Sequence, residues 1–146
     1  GTAFKLLAML HSPYGRTVML DVDTEMCESM ESAFDMLSRY DFAATMAPIL
    51  FHEDSPLPIH RCDAAVSIQD SAPADELVAQ HNTAVVLFRS VPAVMDMLRR
   101  ALECARKLPL PFKDQAALRH ALHMSRGVRV LTLPPMYECR AARSCT

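Results

Sequence analysis

Apolar positions recur along the chain in short blocks whose spacing alternates between the helical and the strand period. A stripe at i, i+4 and i+7, formed by Met30, Phe34 and Leu37, is typical of a helix with one buried face. The run at 83–89 is β-branched and apolar throughout, as in a central strand. In chain order the pattern predicts a helix at 4–10, a strand at 17–20, a helix from about 29 to 37, strands at 42–46 and 83–89, helices at 92–107 and 115–124, and a strand at 128–133.

Strands that alternate with helices favour an α/β fold with a mostly parallel sheet and flanking helices. Residues 48–81 show no period, and several prolines with polar residues predict an unusually long loop there. The loop contains several metal-ligating residue types, His52, Glu53, Asp54, His60, Cys62 and Asp63. Because their spacing matches no zinc pattern, a solvated loop is favoured over a structural metal site.

Size and charge narrow the class of protein. A chain of 146 residues with 51% hydrophobic content corresponds to a single domain, residues 1–146, that can bury a core. The net charge of −2 argues against nucleic acid as a partner, since no basic surface would neutralise phosphates. No apolar run approaches the roughly 18 residues of a membrane-spanning helix. The five cysteines form no C-x-x-C pair, which favours reduced thiols, although a Cys139–Cys145 disulfide stays open.

Two carboxylates, Asp21 and Asp23, follow the strand predicted at 17–20. At a strand end they would point the same way, because positions i and i+2 share a face. Carboxylate oxygens suit Mg²⁺ or Mn²⁺, which commonly takes its remaining ligands from the phosphates of a substrate. The alternative is structural, because Asp and Thr after a strand are ordinary turn formers.

The pair belongs to a series of motifs in a set order: 11–14 followed by 17–24, 34–37 followed by 40–44, 82–89, 114–118 and 133–137. In that order they resemble the nucleotide-diphospho-sugar transferases, which are glycosyltransferases of the GT-A fold. The resemblance implies a metal-dependent enzyme that moves a sugar from a nucleotide-diphosphate donor to a hydroxyl of a sugar or protein acceptor. It covers most of the chain.

The resemblance also implies roles for individual residues. Asp21 and Asp23 would hold Mn²⁺, or Mg²⁺, bridging the diphosphate of a UDP-sugar or similar donor. Asn82 would line the sugar site, and Asp114 would face the donor sugar or the acceptor, with Gln115 beside it. Asn82 can also be read as a turn residue, and Asp114 as the N-cap of the helix at 115–124.

About twenty residues precede Asp21, whereas the family has a nucleotide-binding βα half there. We therefore expect a partial transferase-like domain that lacks much of that half. The resemblance leaves the compartment open between the Golgi lumen, if a membrane anchor lies upstream, and the cytoplasm.

Two alternatives remain. The chain can be a catalytically inactive transferase-like fragment that serves as a binding or structural domain, since Ala84 stands where the family has Gly and Glu138 where it has Asn. It can also be a phosphatase of the haloacid-dehalogenase type, in which a strand ends in Asp-x-Asp and the first Asp is the nucleophile. That family has Thr or Val at the position of Glu25, so the phosphatase is the weaker alternative.

Overall fold

The computed structural model describes residues 3–24, 26, 29–46, 81–107, 113–134 and 137. Its helices and strands, in chain order, are α1 (Ala3–Leu10), β1 (Arg16–Leu20), α2 (Glu31–Met36), β2 (Phe42–Met46), β3 (His81–Arg89), α3 (Pro92–Lys107), α4 (Lys113–Met124) and β4 (Val130–Leu133). Each predicted helix and strand is confirmed, with bounds that differ by at most about two residues. The predicted loop at 48–81 lies outside the described residues except for His81, which belongs to β3.

The four strands form one mixed sheet in the order β1-β3-β2-β4. Strand β3 pairs antiparallel with both β1 and β2, and only β2 and β4 pair parallel. The α/β class with flanking helices is therefore confirmed, but the mostly parallel pairing is wrong. The reason is that a buried central strand is an apolar run in either direction, so its sequence carries no signal of orientation.

Alternate residues of the strands pack into two separate hydrophobic cores, one on each face of the sheet. Phe42, Ala44, Val86 and Phe88 pack against α1, α3 and α4 on one face. The intervening residues of the same strands, such as Val85 and Leu87, pack with α2 on the other face. This alternation follows from the strand period of two, and it explains why β3 is buried along almost its whole length.

Helix α3 provides the largest helical contribution to the core. Its predicted inward residues are all buried, namely Val94, Leu98, Ala101, Leu102 and Ala105. Cys104 is buried on the same helix and is disulfide-bonded, so the interpretation as a reduced thiol is wrong for this residue. No helix within the described ranges has the length and apolar character needed to cross a membrane.

A buried carboxylate, Asp41, accepts hydrogen bonds from two arginines at the edge of the sheet where β2 and β4 begin and β3 ends. Its Oδ2 accepts hydrogen bonds from Arg129 Nε (2.9 Å) and the Arg129 backbone N–H (3.1 Å). Its Oδ1 accepts from Arg129 (2.8 Å) and from Arg89 (3.2 Å). The hydrogen bonds from Arg129 lower the pKa of Asp41 from 3.8 to about 2.

We expect Asp41→Asn to lower the free energy of unfolding by about 1.5–3 kcal/mol, because it removes charge-assisted hydrogen bonds from a buried group. The wild-type protein should lose the same stabilisation as the pH falls from about 4 towards 2, since the pKa of Asp41 is lower in the folded state than in the unfolded one. Urea denaturation between pH 2 and 7 measures both effects.

The matched control is Asp96→Asn, which removes an exposed i,i+3 pair with Arg99 on α3. Exposed pairs contribute little, so this variant should change the free energy of unfolding by less than about 0.5 kcal/mol. Equal effects of the two substitutions at neutral pH would show that the Asp41 contacts do not stabilise the fold.

Candidate functional site

The candidate site lies at the other edge of the sheet, where β1, β2 and β4 end and β3 begins. Asp21 directly follows β1, and its backbone N–H donates to the carbonyl of Ala84 near the start of β3 (2.9 Å). Asn82 and Thr83 precede Ala84, and all three residues are buried. The first turn of α4 reaches the same edge, because Thr83 Oγ1 donates to Asp114 Oδ2. Residues that are far apart in the sequence therefore meet here.

The Asp-x-Asp pair lies in a tight turn after the strand. β1 ends at Leu20, and the Thr24 N–H donates to the carbonyl of Asp21 (3.0 Å) across two exposed residues, Val22 and Asp23. The expectation that the two carboxylates share a strand face is wrong, because alternation holds only for extended backbone. The turn interpretation is confirmed for the backbone. Asp21 is held against the protein, whereas Asp23 is exposed to solvent.

An ammonium group lies between two carboxylates of the site. Lys5 Nζ on α1 is 2.6 Å from Asp21 Oδ1, 2.6 Å from Asp21 Oδ2 and 3.8 Å from Asp114 Oδ2. The side chain of Lys5 is 31% exposed, that of Asp21 20% and that of Asp114 3%, so the cluster opens to solvent on the lysine side. Sequence reasoning missed Lys5, although it is the one polar side chain within the apolar run of α1.

Asp114 lies inside the first turn of α4, which begins at Lys113. The predicted N-cap role is therefore wrong, since a cap precedes the first helical residue. Its Oδ2 accepts a hydrogen bond of 2.8 Å from the Thr83 hydroxyl. The carboxylate thus lies at the amino end of the helix, and its Oδ2 is 3.8 Å from the Lys5 ammonium.

Two amide side chains adjoin the carboxylates. Asn82 Oδ1 accepts a hydrogen bond from the Ala84 N–H (2.9 Å) and one from Gln115 Nε2 (3.4 Å). Asn82 is the second residue of β3, so its interpretation as a turn residue before the strand is wrong. Since Gln115 follows Asp114 directly on α4, the carboxylate and the amides form one continuous polar group at the sheet edge.

The pairing of β2 with β3 is irregular near this group. Ala44 of β2 pairs with Val86, and Met46 pairs with His81, so β3 advances five positions while β2 advances two. Such a break in register changes the direction of nearby side chains, as bulges near functional sites often do. The break lies near Thr83. Val85 and Leu87, the next odd-numbered residues of β3, pack with α2, whereas the Thr83 hydroxyl donates to Asp114 of α4. No local sequence pattern signals it.

His81 is a second residue that sequence analysis missed, since 48–81 was predicted as loop. Its Nε2 lies 3.2 Å from Thr132 Oγ1 of β4, and the ring is buried at the same edge of the sheet. Burial lowers the pKa of His81, which keeps the ring neutral near pH 7. Within the described part of the chain, His81 Nδ1 has no hydrogen-bond partner.

The donor atoms can be compared with those that a divalent cation needs. Asp21 and Asp23 supply oxygen ligands of the type that Mn²⁺ and Mg²⁺ take, but no metal-binding group of three or more His, Cys, Asp or Glu occurs among the described residues. Any such ion would need phosphate oxygens to complete its ligand set and would need Lys5 to leave the Asp21 carboxylate. The acidic and histidine residues of the loop at 48–81 that could suggest another metal site lie outside the described residues.

Of the predicted site residues, Asp21, Asn82, Asp114 and Gln115 lie together around Lys5, and Asp23 is exposed at the rim. Comparison with protein-family models, with curated proteins and with solved structures finds no match for this chain. The class that the structure itself defines is an α/β domain with a four-stranded mixed sheet and flanking helices.

Proposed function

We propose that the chain carries the donor site of a glycosyltransferase that moves a sugar from a nucleotide-diphosphate donor to a hydroxyl acceptor. The observation that most supports this proposal is spatial. Four residues lie close together at one edge of the sheet, namely Asp21, Asn82, Asp114 and Gln115. The resemblance in motif order assigns roles in such an enzyme to these four residues. An edge beyond strand ends is also where α/β sheets commonly bind their ligands.

The chemistry of this reaction demands positive charge at the leaving group. Glycosyl transfer expels a nucleoside diphosphate, and a divalent cation held by Asp21 and Asp23 would supply Lewis-acid stabilisation of that charge. Lys5 places a second positive group within reach of the same position. Its ammonium can pair with a phosphate oxygen once it leaves the Asp21 carboxylate.

The remaining polar residues can recognise a sugar. Thr83 holds the Asp114 carboxylate in place, so a sugar hydroxyl that enters on the open, Lys5 side of the cluster would meet it in a fixed geometry. The half-buried amide of Gln115 carries both a donor and an acceptor, which suits the hydroxyl pattern of a sugar, and buried Asn82 holds that amide in place. His81 lies at the same sheet edge, where its Nε2 is 3.2 Å from Thr132 Oγ1 of β4.

Calorimetric titration with UDP and GDP, in the presence and absence of Mn²⁺, tests the proposal. We expect binding that depends on Mn²⁺ and that weakens by about tenfold or more in the Asp21→Asn, Asp23→Asn double variant, because one metal-ligand set is removed. The matched control is a second double variant, Asp35→Asn with Asp96→Asn, which makes the same change of charge at two exposed positions. Circular dichroism should show unchanged helix and strand content in both variants.

Binding that is absent in the wild type, or equal in all three proteins, would contradict a metal-dependent donor site. If Mn²⁺-dependent binding occurs but no UDP-sugar is turned over, the chain is the inactive, binding-only relative of such enzymes. The engagement of both Asp21 oxygens by Lys5 is the observation that favours this second candidate.

A further inference from the structure

We propose that a row of charged side chains at the opposite edge of the sheet binds a phosphate group, as free phosphate or as a phosphomonoester. This is the edge where β1, β2 and β4 begin and β3 ends, so the inference does not depend on the proposed function. Each of the four strands contributes one residue, either its own or the one directly before it. In the spatial order of the strands, the charged row consists of Arg16, Arg89, Asp41 and Arg129.

The register of the sheet aligns these four residues. Arg16 of β1 is the direct partner of Arg89 of β3. The Arg89 N–H donates to the carbonyl of Asp41 (2.9 Å), and the Asp41 N–H donates to the carbonyl of Arg129 (2.8 Å). Since neighbouring strands are about 4.8 Å apart, the whole row spans roughly 14 Å.

The side chains of the charged row share the face of the sheet that α2 covers. Arg16 Nη1 lies 3.5 Å from the carbonyl oxygen of Phe34 on α2. Arg89 is on the same face, because directly paired residues of neighbouring strands point the same way. Asp41 accepts hydrogen bonds from both Arg89 and Arg129, so the charged groups form one continuous surface.

The charges of the row do not balance. Three guanidinium groups accompany one carboxylate, which leaves the row at +2 although the whole chain has a net charge of −2. Asp41 Oδ1 is shared between Arg129 (2.8 Å) and Arg89 (3.2 Å), so those two donor nitrogens are at most about 6 Å apart. Arg16 stands directly opposite Arg89, and like charges in that arrangement destabilise a sheet. Among the described residues, no carboxylate forms an ion pair with Arg16. A bound anion would remove this repulsion.

A phosphate dianion matches the charged row in charge and in geometry. A guanidinium group presents parallel N–H donors that pair with two oxygens of a phosphate. Arg16 is exposed and the Arg89 side chain is 32% exposed, so solvent reaches both groups. The Cβ atoms of directly opposed residues are about 4.5–5.5 Å apart, so one phosphate can accept hydrogen bonds from both arginines. A monocarboxylate such as acetate carries half the charge and should bind more weakly.

The test is calorimetric titration of the whole chain with inorganic phosphate, methyl phosphate and acetate at constant ionic strength. We expect Arg16→Met to raise the dissociation constant for phosphate by about fivefold or more, because one of the two guanidinium groups is lost. Arg100→Met makes the same change of net charge at an exposed position on α3 and should match the wild type. Tighter binding of methyl phosphate would identify a phosphomonoester site, and tighter binding of inorganic phosphate a site for the free ion. Either result supports the inference.

Two further variants separate this site from simpler explanations. Arg16→Lys keeps the charge but lacks the paired donors, so its dissociation constant should lie between those of the wild type and Arg16→Met. Lys5→Met removes the ammonium of the candidate donor site at the other edge and should leave phosphate binding unchanged. Thermal unfolding of each variant shows whether the sheet is intact.

Three results would overturn the inference. The wild type binds neither inorganic phosphate nor methyl phosphate, Arg100→Met weakens binding as much as Arg16→Met, or Lys5→Met abolishes binding that Arg16→Met retains. Failure of the proposed function is a different result, because it appears as absent Mn²⁺-dependent binding of UDP and GDP and leaves the phosphate titration unaffected.

Discussion

Replacement of Phe88 by alanine is expected to lower the free energy of unfolding by about 3–5 kcal/mol. Phe88 is completely buried in β3, paired with Thr17 of β1 and with Phe42 of β2. Alanine would leave a cavity between the sheet and the helices, and a close-packed core cannot fill it without strain. Since domains of this size are stable by about 5–15 kcal/mol, the loss is a large fraction of the total. Urea denaturation followed by circular dichroism measures it.

The control for this prediction is Phe4→Ala on α1. Phe4 is 72% exposed, so its removal should change the free energy of unfolding by no more than about 0.5 kcal/mol. Similar effects of the two phenylalanine substitutions would contradict the central position of β3 in the sheet.

Asp114→Asn is expected to slow sugar transfer by about 100-fold or more, if the carboxylate acts on a substrate hydroxyl as the proposed function requires. Asparagine has the same shape, and its oxygen can still accept the hydrogen bond from Thr83, so the fold should persist. The variant loses the negative charge that orients a hydroxyl and that lies near Lys5. Release of UDP from a set of UDP-sugars, measured together with the thermal midpoint, gives the activity and the stability of the same sample.

Asp41→Asn provides the matched control, because among the described residues Asp41 is a second buried carboxylate and lies at the opposite edge of the sheet. It should lower stability and leave the activity per folded molecule unchanged. The reverse pattern would contradict the assignment: if Asp114→Asn destabilises the fold and keeps full activity, Asp114 is a structural carboxylate.

The helices and strands could be predicted because local patterns specify them. The apolar stripe of α3 and the apolar run of β3 are patterns of residues that are close in sequence. The residues of both patterns are buried in the structure. That Asp21 and Asp114 belong to one site was implied only by the family resemblance, not by the pattern of helices and strands. The roles assigned to these residues stay predictions.

The errors have two physical origins. The turn at Asp21 and the start of α4 at Lys113 are local features whose sequences are compatible with more than one structure. The direction of β3, by contrast, depends on contacts between distant segments. Lys5 illustrates the point, because a lysine in an apolar helix can only be understood once its partners are known. Those partners are 16 and more than 100 residues away in the chain.

The sequence by itself determined which segments are helices and strands, and which face of each is apolar, because periodicity acts over a few residues. The tertiary structure decided the order and direction of the strands, the break in register beside Thr83 and the ion cluster around Lys5. Those features result from pairing across long stretches of chain, where many arrangements satisfy the same local pattern and packing selects one.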